Sequence, residues 1–228
     1  MFARFTFIAF RFLLVFVGFS IVWVAVLKFV PVWVTPYMIS RKIDAFKADE
    51  DTEIFSDWEP YENISREAAL AVVASEDQNF PNHWGFDFDE IYDAMTEKRK
   101  RVRGASTISQ QVAKNVFLWH GRSYIRKGLE VWFTILIEVI WDKQRILEVY
   151  LNVAQMGKMT FGVEAASLRF YNKSAKNLTR SEAARIAAVL PNPVRFSIKN
   201  PSPYVIKRTG QISRQMRALG GQKYIDGL

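Results

Sequence analysis

Residues Gly104–Asn115 read GASTISQQVAKN, and the spacing within them decides how the chain folds. Thr107, Gln111 and Lys114 fall at i, i+4 and i+7, so on a helix they share one face. Ile108, Val112 and Val116 share the apolar face beside it. The pattern predicts an amphipathic helix beginning at Gly104 and Ser106, turned half to a core and half to a polar cleft. Two adjacent glutamines and a lysine have little use inside a core. Upstream, Glu76–Gly85 reads EDQNFPNHWG, which sets paired carboxylates beside a Phe, a His and a Gly at the end of an apolar run.

Working outward, Ser65 reads as an N-cap with Glu67 in the first turn. Ala68–Ala74 is small and apolar, which suits a tightly buried helix whose far end delivers Glu76. Asp87 with Glu90 resembles a capping box for a helix through Met95, and Asp87, Asp89, Glu90 and Asp93 read alternatively as a divalent-cation site. Lys98–Arg103 (KRKRVR) is either a solvated loop or a clamp for phosphates or anionic lipid. Arg126–Asn152 reads RKGLEVWFTILIEVIWDKQRILEVYLN, one long helix or two in succession. Its Val131–Trp141 stretch is apolar almost all round, interrupted by Thr134 and Glu138, and is too short to cross a bilayer. It is therefore a core helix or one lying against a membrane. Thr179–Glu182 (TRSE) is a capping box, and Pro191 stops the helix it opens. Strand-like alternation is nearly absent, so the fold class is all-α, with helices grouped around a cleft.

Half of the 228 residues are hydrophobic and 14% are aromatic, which excludes disorder. A net charge of +8 points to anionic partners. There is no cysteine for a disulfide or a thiolate, and two histidines, His83 and His120, are too few for a histidine-rich zinc site. From Phe12 to Leu27 no side chain is charged, and apart from Lys28 the apolar run continues to Val34. That is about the 20 residues a membrane-spanning helix needs. No A-x-A site closes the run, which favours an uncleaved anchor over a signal peptide. The organisation expected is a cytoplasmic N-terminus over 1–11, a transmembrane anchor over 12–34, a connector over 35–60 and a catalytic domain over 61–228. Arg4 and Arg11 against Arg41 and Lys42 lean the orientation only slightly toward N-terminus inside.

Burial and the negative end of its helix both push the pKa of Glu76 upward, as a general base near neutral pH requires. The other reading of Glu76 is a helix-terminal glutamate in a salt bridge. Lys114, Arg122, Arg126 and Lys127 cluster around the second block, and Glu130 follows one turn after Arg126. A sugar leaving group must be protonated, so glycoside hydrolases carry a second carboxyl as acid. A diphosphate leaving group needs cations instead. A base-capable Glu with a cationic cluster therefore fits glycosyl transfer from a diphosphate better than hydrolysis. The helix N-terminus at Ser106 and Thr107 offers backbone N–H donors to the same anion.

At these residues the chain resembles the monofunctional peptidoglycan transglycosylases of glycosyltransferase family 51. The family's ED-x-x-F-x-x-H-x-G block matches Glu76, Asp77, Phe80, His83 and Gly85. Its G-x-STI-x-QQ-x-x-KN block matches Gly104, Ser106, Thr107, Ile108, Gln110, Gln111, Lys114 and Asn115. Its RK-x-x-E block, running into YLN, matches Arg126, Lys127, Glu130 and Tyr150–Asn152, and FGVEAAS (161–167) and AAVLPNP (187–193) follow in order. The resemblance implies a lysozyme-like helical lobe with a small membrane-associated lobe, facing the periplasm from the inner membrane. It implies that Glu76 deprotonates the 4-hydroxyl of an acceptor lipid II, that Lys114, Arg122 and Arg126 hold the departing undecaprenyl diphosphate, and that Glu130 assists them. Asp77, Ser106, Thr107, Gln110, Gln111 and Asn115 would line the cleft, with Phe80 and His83 shaping it. It implies lipid II, the growing lipid-linked strand, the membrane and other cell-wall synthases as partners, and no nucleic acid. No cofactor is required and no metal site is assigned, a divalent cation being left open. A lytic enzyme of related fold would need an acid for its leaving group, and a non-catalytic precursor-binding protein would not need Glu76 and Glu130.

After YLN the family shows a glycine-rich, often acidic stretch, whereas here Val153–Thr160 reads VAQMGKMT. Gln155 and Met159 stand where an acidic residue and a glycine are expected. The difference bears on loop geometry and leaves the motif blocks untouched.

Overall fold

A computed structural model of the chain describes residues 2–88, 92, 106–119, 121 and 123–228. The helix expected over 87–95, its alternative as a cation site, the basic run Lys98–Arg103, His120 and Arg122 lie wholly or mainly outside the described residues. Within them the fold is helical, as its periodicities predict: α1 (Phe2–Leu27), α2 (Pro36–Lys47), α3 (Arg66–Glu76), α4 (Ile108–Phe117), α5 (Tyr124–Ile140), α6 (Lys143–Val153), α7 (Val163–Tyr171), α8 (Arg180–Val189) and α9 (Pro203–Ala218).

Ser65 caps α3, its hydroxyl accepting from Glu67 N–H, and every residue from Ala68 to Ala74 is buried. Small side chains all round let neighbouring helices approach closely: α3 packs on α8 and α9, while α4 packs on α5 and α6. The long apolar stretch after Arg126 resolves into two helices. Trp141 breaks the first, and Asp142 caps the second by accepting from Arg145 N–H at 2.8 Å. α5 is neither wholly core nor wholly surface, since Phe133 and Ile137 are buried while Val131, Ile135 and Val139 face outward. The TRSE capping box at Thr179 and the helix stop before Pro191 form as expected.

Sequence alternation gave no sign of the small sheet formed by β1 (Phe55–Ser56), β2 (Gln155–Gly157) and β3 (Thr160–Phe161). β3 is central, parallel to β1 and antiparallel to β2 with an irregular register. Strands of two or three residues are too short to show a period of two. Asn152, the last residue of YLN, fastens this corner to the connector by accepting from Glu59 N–H at 2.8 Å and donating to Glu59 O at 2.9 Å. Gly162 follows at φ +84, and a Cβ there would stand 2.6 Å from Asn152 O, so only glycine fits. Met159 adopts φ +52 and is nonetheless buried. That left-handed backbone is one a glycine, the residue of the family pattern, adopts without strain.

The apolar run read over 12–34 is helical only to Leu27, and the helix starts earlier, at Phe2. Arg145 Nη2 binds Leu27 O at 2.8 Å, and Lys28 Nζ reaches Ile140 O at 2.9 Å. Arg145 thus satisfies the last carbonyl of α1, to which Pro31 has no N–H to offer, and Lys28 does the same for the last carbonyl of α5. α1 is the one helix among the described residues that is long and apolar enough to cross a membrane. Its last turns dock on the domain: Trp132 donates to Ser20 Oγ at 3.1 Å, Trp141 donates to Val24 O at 2.8 Å, and Trp23 packs edge-on to Phe117.

Candidate active site

Two of the sequence blocks meet at the N-terminus of α4. Asp77, only 2% exposed, accepts from Ile108 N–H at 2.9 Å and from His83 Nε2 at 2.9 Å. Because His83 Nδ1 accepts from Gly85 N–H at 3.1 Å, the ring proton must lie on Nε2, where Asp77 takes it. Thr107 donates to Gly85 O at 2.7 Å and closes a capping box with Gln110. Gly85 itself sits at φ +78, and a Cβ there would come within 2.7 Å of Thr134. This accounts for the Gly of the first block and the Thr of the second.

The helix therefore begins at Ile108, later than its periodicity suggested, and Thr107 is a buried cap, apart from the cleft face. The N–H groups of Thr107 and Ile108 are held by Gln110 and Asp77, so they are not free donors for an anion. A second latch lies behind the first. Lys143 donates to His83 O and to Glu138 Oε1, stands 4.6 Å from the Phe80 ring centroid, and Ser109 bonds the same Glu138 oxygen. Asp77, His83 and Asp87 bring ligand-type atoms within 4.8 Å of one another. Both ring nitrogens of His83 are already engaged, so the grouping works as a hydrogen-bond latch.

On this frame α3 ends at Glu76. Gln111 Nε2 donates to Glu76 Oε2 at 3.0 Å, and Tyr150 donates to Gln111 Oε1 at 3.3 Å. Burial, with the Glu76 and Asp77 charges nearby, holds the Tyr150 pKa well above its ordinary range, so the hydroxyl keeps its proton and donates it to Gln111, while the acceptor-only Glu76 carboxylate takes the amide N–H. Glu76 keeps some exposed surface, but protein crowds its carboxyl and this burial raises its pKa. The Gln111 bond and the Arg208 and Lys114 charges offset part of that rise. Glu76 Oε1 has no hydrogen-bond partner among the described residues. The site thus presents one held and one open carboxylate oxygen.

Lys114 lies two turns along α4 from Thr107 and makes no ion pair among the described residues. Burial lowers its pKa, Glu130 raises it, and Arg126 and Lys127 lower it again, with Glu76 a smaller opposing influence. Glu130, 3% exposed, is clamped by Arg126 at 3.0 Å and Lys127 at 2.6 Å. Arg126 Nε is buried without a hydrogen-bond partner among the described residues. Glu76, Gln111, Lys114, Arg126 and Glu130 are therefore brought together around the helix that also carries a buried Asn115 and follows an exposed Ser106. Tyr150 and Arg208 escaped the sequence reading. Tyr150 was legible only as part of YLN. Arg208 donates to Ser75 O across 133 positions of chain, and no local pattern marks it.

The family model that matches residues 42–217 is described as Transglycosylase. The chain is 52% identical over 217 residues to a biosynthetic peptidoglycan transglycosylase of Pseudomonas putida, covering 94% of this chain and 92% of that one. It is 51% identical over 217 residues to that of Pseudomonas entomophila, with the same coverage, and 48% identical over 215 residues to that of Chromohalobacter salexigens, covering 93% and 92%. With its motif blocks brought together and its likeness running nearly the length of these relatives, the chain belongs to the transglycosylase family and is a glycosyltransferase of peptidoglycan synthesis.

Proposed function

We propose that this enzyme polymerises lipid II into linear β-1,4 glycan strands, with inversion at the anomeric carbon and with Glu76 as general base. The observation that carries the reading is a carboxyl with one oxygen held by Gln111 and the other open, placed near Lys114 and the Arg126–Glu130 pair. Lys114 makes no ion pair among the described residues, and burial raises the pKa of the carboxyl and lowers that of the lysine. Glu76 Oε1 takes the proton of the acceptor 4-hydroxyl, whose oxygen bonds to the donor's anomeric carbon. The bond from that carbon to the diphosphate oxygen breaks, and its electron pair leaves with the undecaprenyl diphosphate. Lys114 and Arg126 stabilise that developing charge in a site partly shielded from water, with Arg122 as a further cation. Glu130 holds Arg126 and Lys127 in place and offsets part of the fall in the Lys114 pKa that burial causes.

These cations supply the charge the leaving group needs, so the reaction is proposed to run without a resident metal. α1 is the proposed anchor in the inner membrane, with the catalytic domain on the periplasmic side, where lipid II, the growing strand and other cell-wall synthases would meet it. Purified enzyme in detergent, given labelled lipid II, should yield long glycan strands and free undecaprenyl diphosphate, with or without a chelator. Cleavage of finished peptidoglycan without polymerisation would indicate a lytic enzyme, and binding without turnover a scaffold.

A further inference from the structure

The hairpin where this chain departs from the family's pattern forms one wall of a cavity of about 200 Å³. Met156, Gly157 and Lys158 supply that wall, Arg169 and Phe170 near the end of α7 a second, and the segment 193–198 after α8 a third. Met156 and Ile198 are buried, and the Phe170 ring lies so close to the hairpin that a Cβ on Gly157 would stand 3.0 Å from it. Lys158, Arg169 and Arg195 are exposed. The lining thus combines three cations with aromatic and aliphatic surface and, among the described residues, contains no acidic one.

The three cations are not equally committed. Arg169 donates to Thr160 Oγ1 at 2.9 Å and lies 3.9 Å from the Phe55 ring centroid, so it supports the hairpin. Lys158 meets Glu50 at 3.2 Å, an exposed pair of the kind that holds weakly and exchanges readily. Arg195 makes no ion pair among the described residues, and its backbone N–H donates to Asn192 Oδ1 at 3.1 Å, which fixes the start of its loop. A guanidinium and an ammonium beside a partly apolar cavity suit a carboxylate on a short aliphatic body. Pockets for drug-sized molecules run to about 300–1,000 Å³, so this one admits a terminal group.

The cavity lies within reach of the reacting centre. Met156 follows Tyr150, which reaches Glu76 through Gln111, by at most about 20 Å of chain. The third wall continues from α8, which starts beside α3: Ser65 Oγ donates to Leu178 O at 3.0 Å, and Arg180 binds Glu67 at 2.9 Å. Because α3 and α8 pack together from there, they end on the same side, α3 at Glu76. The peptide on a peptidoglycan precursor, about five residues, reaches roughly 17 Å when extended. A sugar held at Glu76 therefore brings the carboxylates of its peptide within range.

We propose that this cavity takes a peptide carboxylate of the lipid-linked substrate, with Lys158 and Arg195 binding the anion and Arg169 holding the hairpin that carries Lys158. The proposal rests on lipid II being the substrate. It makes Lys158 and Arg195 determinants of specificity, apart from the catalytic groups.

The test gives full-length enzyme in detergent either lipid II with free peptide carboxylates or lipid II whose peptide carboxylates are converted to neutral amides. Both side chains are exposed, so replacing them leaves the core intact. Lys158→Gln combined with Arg195→Gln should raise KM about fivefold on the free-carboxylate substrate and leave kcat unchanged. On the amidated substrate the wild-type KM should already be raised by the same factor, with the double variant no different from it. Lys158→Arg combined with Arg195→Lys keeps both charges and should retain the wild-type preference for free carboxylates. An equal rise in KM on both substrates, or none on either, overturns the carboxylate site. Failure of the wild-type protein to polymerise either substrate overturns the reading of lipid II as substrate, and the proposal with it.

Discussion

Gln111 lies between Tyr150 and Glu76, accepting from the phenol at one end of its amide and donating to the carboxylate at the other. The amide has one orientation when Glu76 is ionised, because a carboxylate can only accept and so takes the N–H end, leaving the oxygen to the Tyr150 hydroxyl. A hydrogen bond to the ionised form favours that form, so Gln111 holds the Glu76 pKa below what burial alone would give. Replacing it by methionine keeps the bulk and removes the donor. In Gln111→Met the acidic limb of the rate profile should move up by about one pH unit, the worth of a charge-assisted bond. An unmoved limb would mean that Gln111 acts on substrate and not on the base.

Glu76→Gln leaves the shape of the cleft intact and removes the proton acceptor. Turnover of labelled lipid II should fall by roughly a hundredfold to ten-thousandfold, the usual worth of a general base. Binding, measured by fluorescence titration, should change little. A near-normal rate would refute Glu76 as base.

The pH profile should be a bell with both limbs drawn inward. Glu76 must be ionised to act, and burial raises its pKa, so activity appears at a higher pH than for an ordinary glutamate. Lys114 must be protonated, and burial lowers its pKa, so activity is lost at a lower pH than for an ordinary lysine. Glu130 raises the Lys114 pKa, hence Glu130→Gln should bring the alkaline limb down further while leaving the acidic limb in place. Paired pH–rate curves of the two proteins check both statements.

Asp77 has a different task from its neighbour Glu76. Asp77→Ala strips the acceptor from two buried donors, His83 Nε2 and Ile108 N–H. At roughly 1–3 kcal/mol for each donor left unsatisfied, the loss should be about 2–6 kcal/mol. That is a large part of a domain's usual stability. Denaturant unfolding in detergent measures it. A variant of wild-type stability and reduced turnover would place Asp77 on the substrate.

Met159 tests how far a departure from the family's pattern matters. Its left-handed backbone costs about 1–2 kcal/mol relative to glycine. Deleting the buried side chain costs about 2–5 kcal/mol and frees the unfolded chain further. Burial therefore wins, and Met159→Gly should lower the unfolding midpoint, corresponding to about 1–3 kcal/mol. A gain in stability would show that backbone strain dominates at this corner.

Local patterns in the sequence determined the helical class, the caps at Ser65 and Thr179, the delivery of Glu76 to a helix end and the amphipathic face of Ile108, Val112 and Val116. Each depends on neighbours within a turn or two, which is the range over which side chains on one helix meet. The connector's helix escaped because its apolar residues are broken up by charges. The start of α4 was misplaced because Gly104 and Ser106 look like helix openers until Gly85 O, far upstream, claims Thr107. Contacts across long stretches of chain decided the rest: Arg208 beside Ser75 and Glu76, Tyr150 behind Gln111, Lys143 beneath His83, and α1 docked on Trp132 and Trp141. The same is true of the acidities, since sequence names a carboxyl and an ammonium, but only packing removes the water around them.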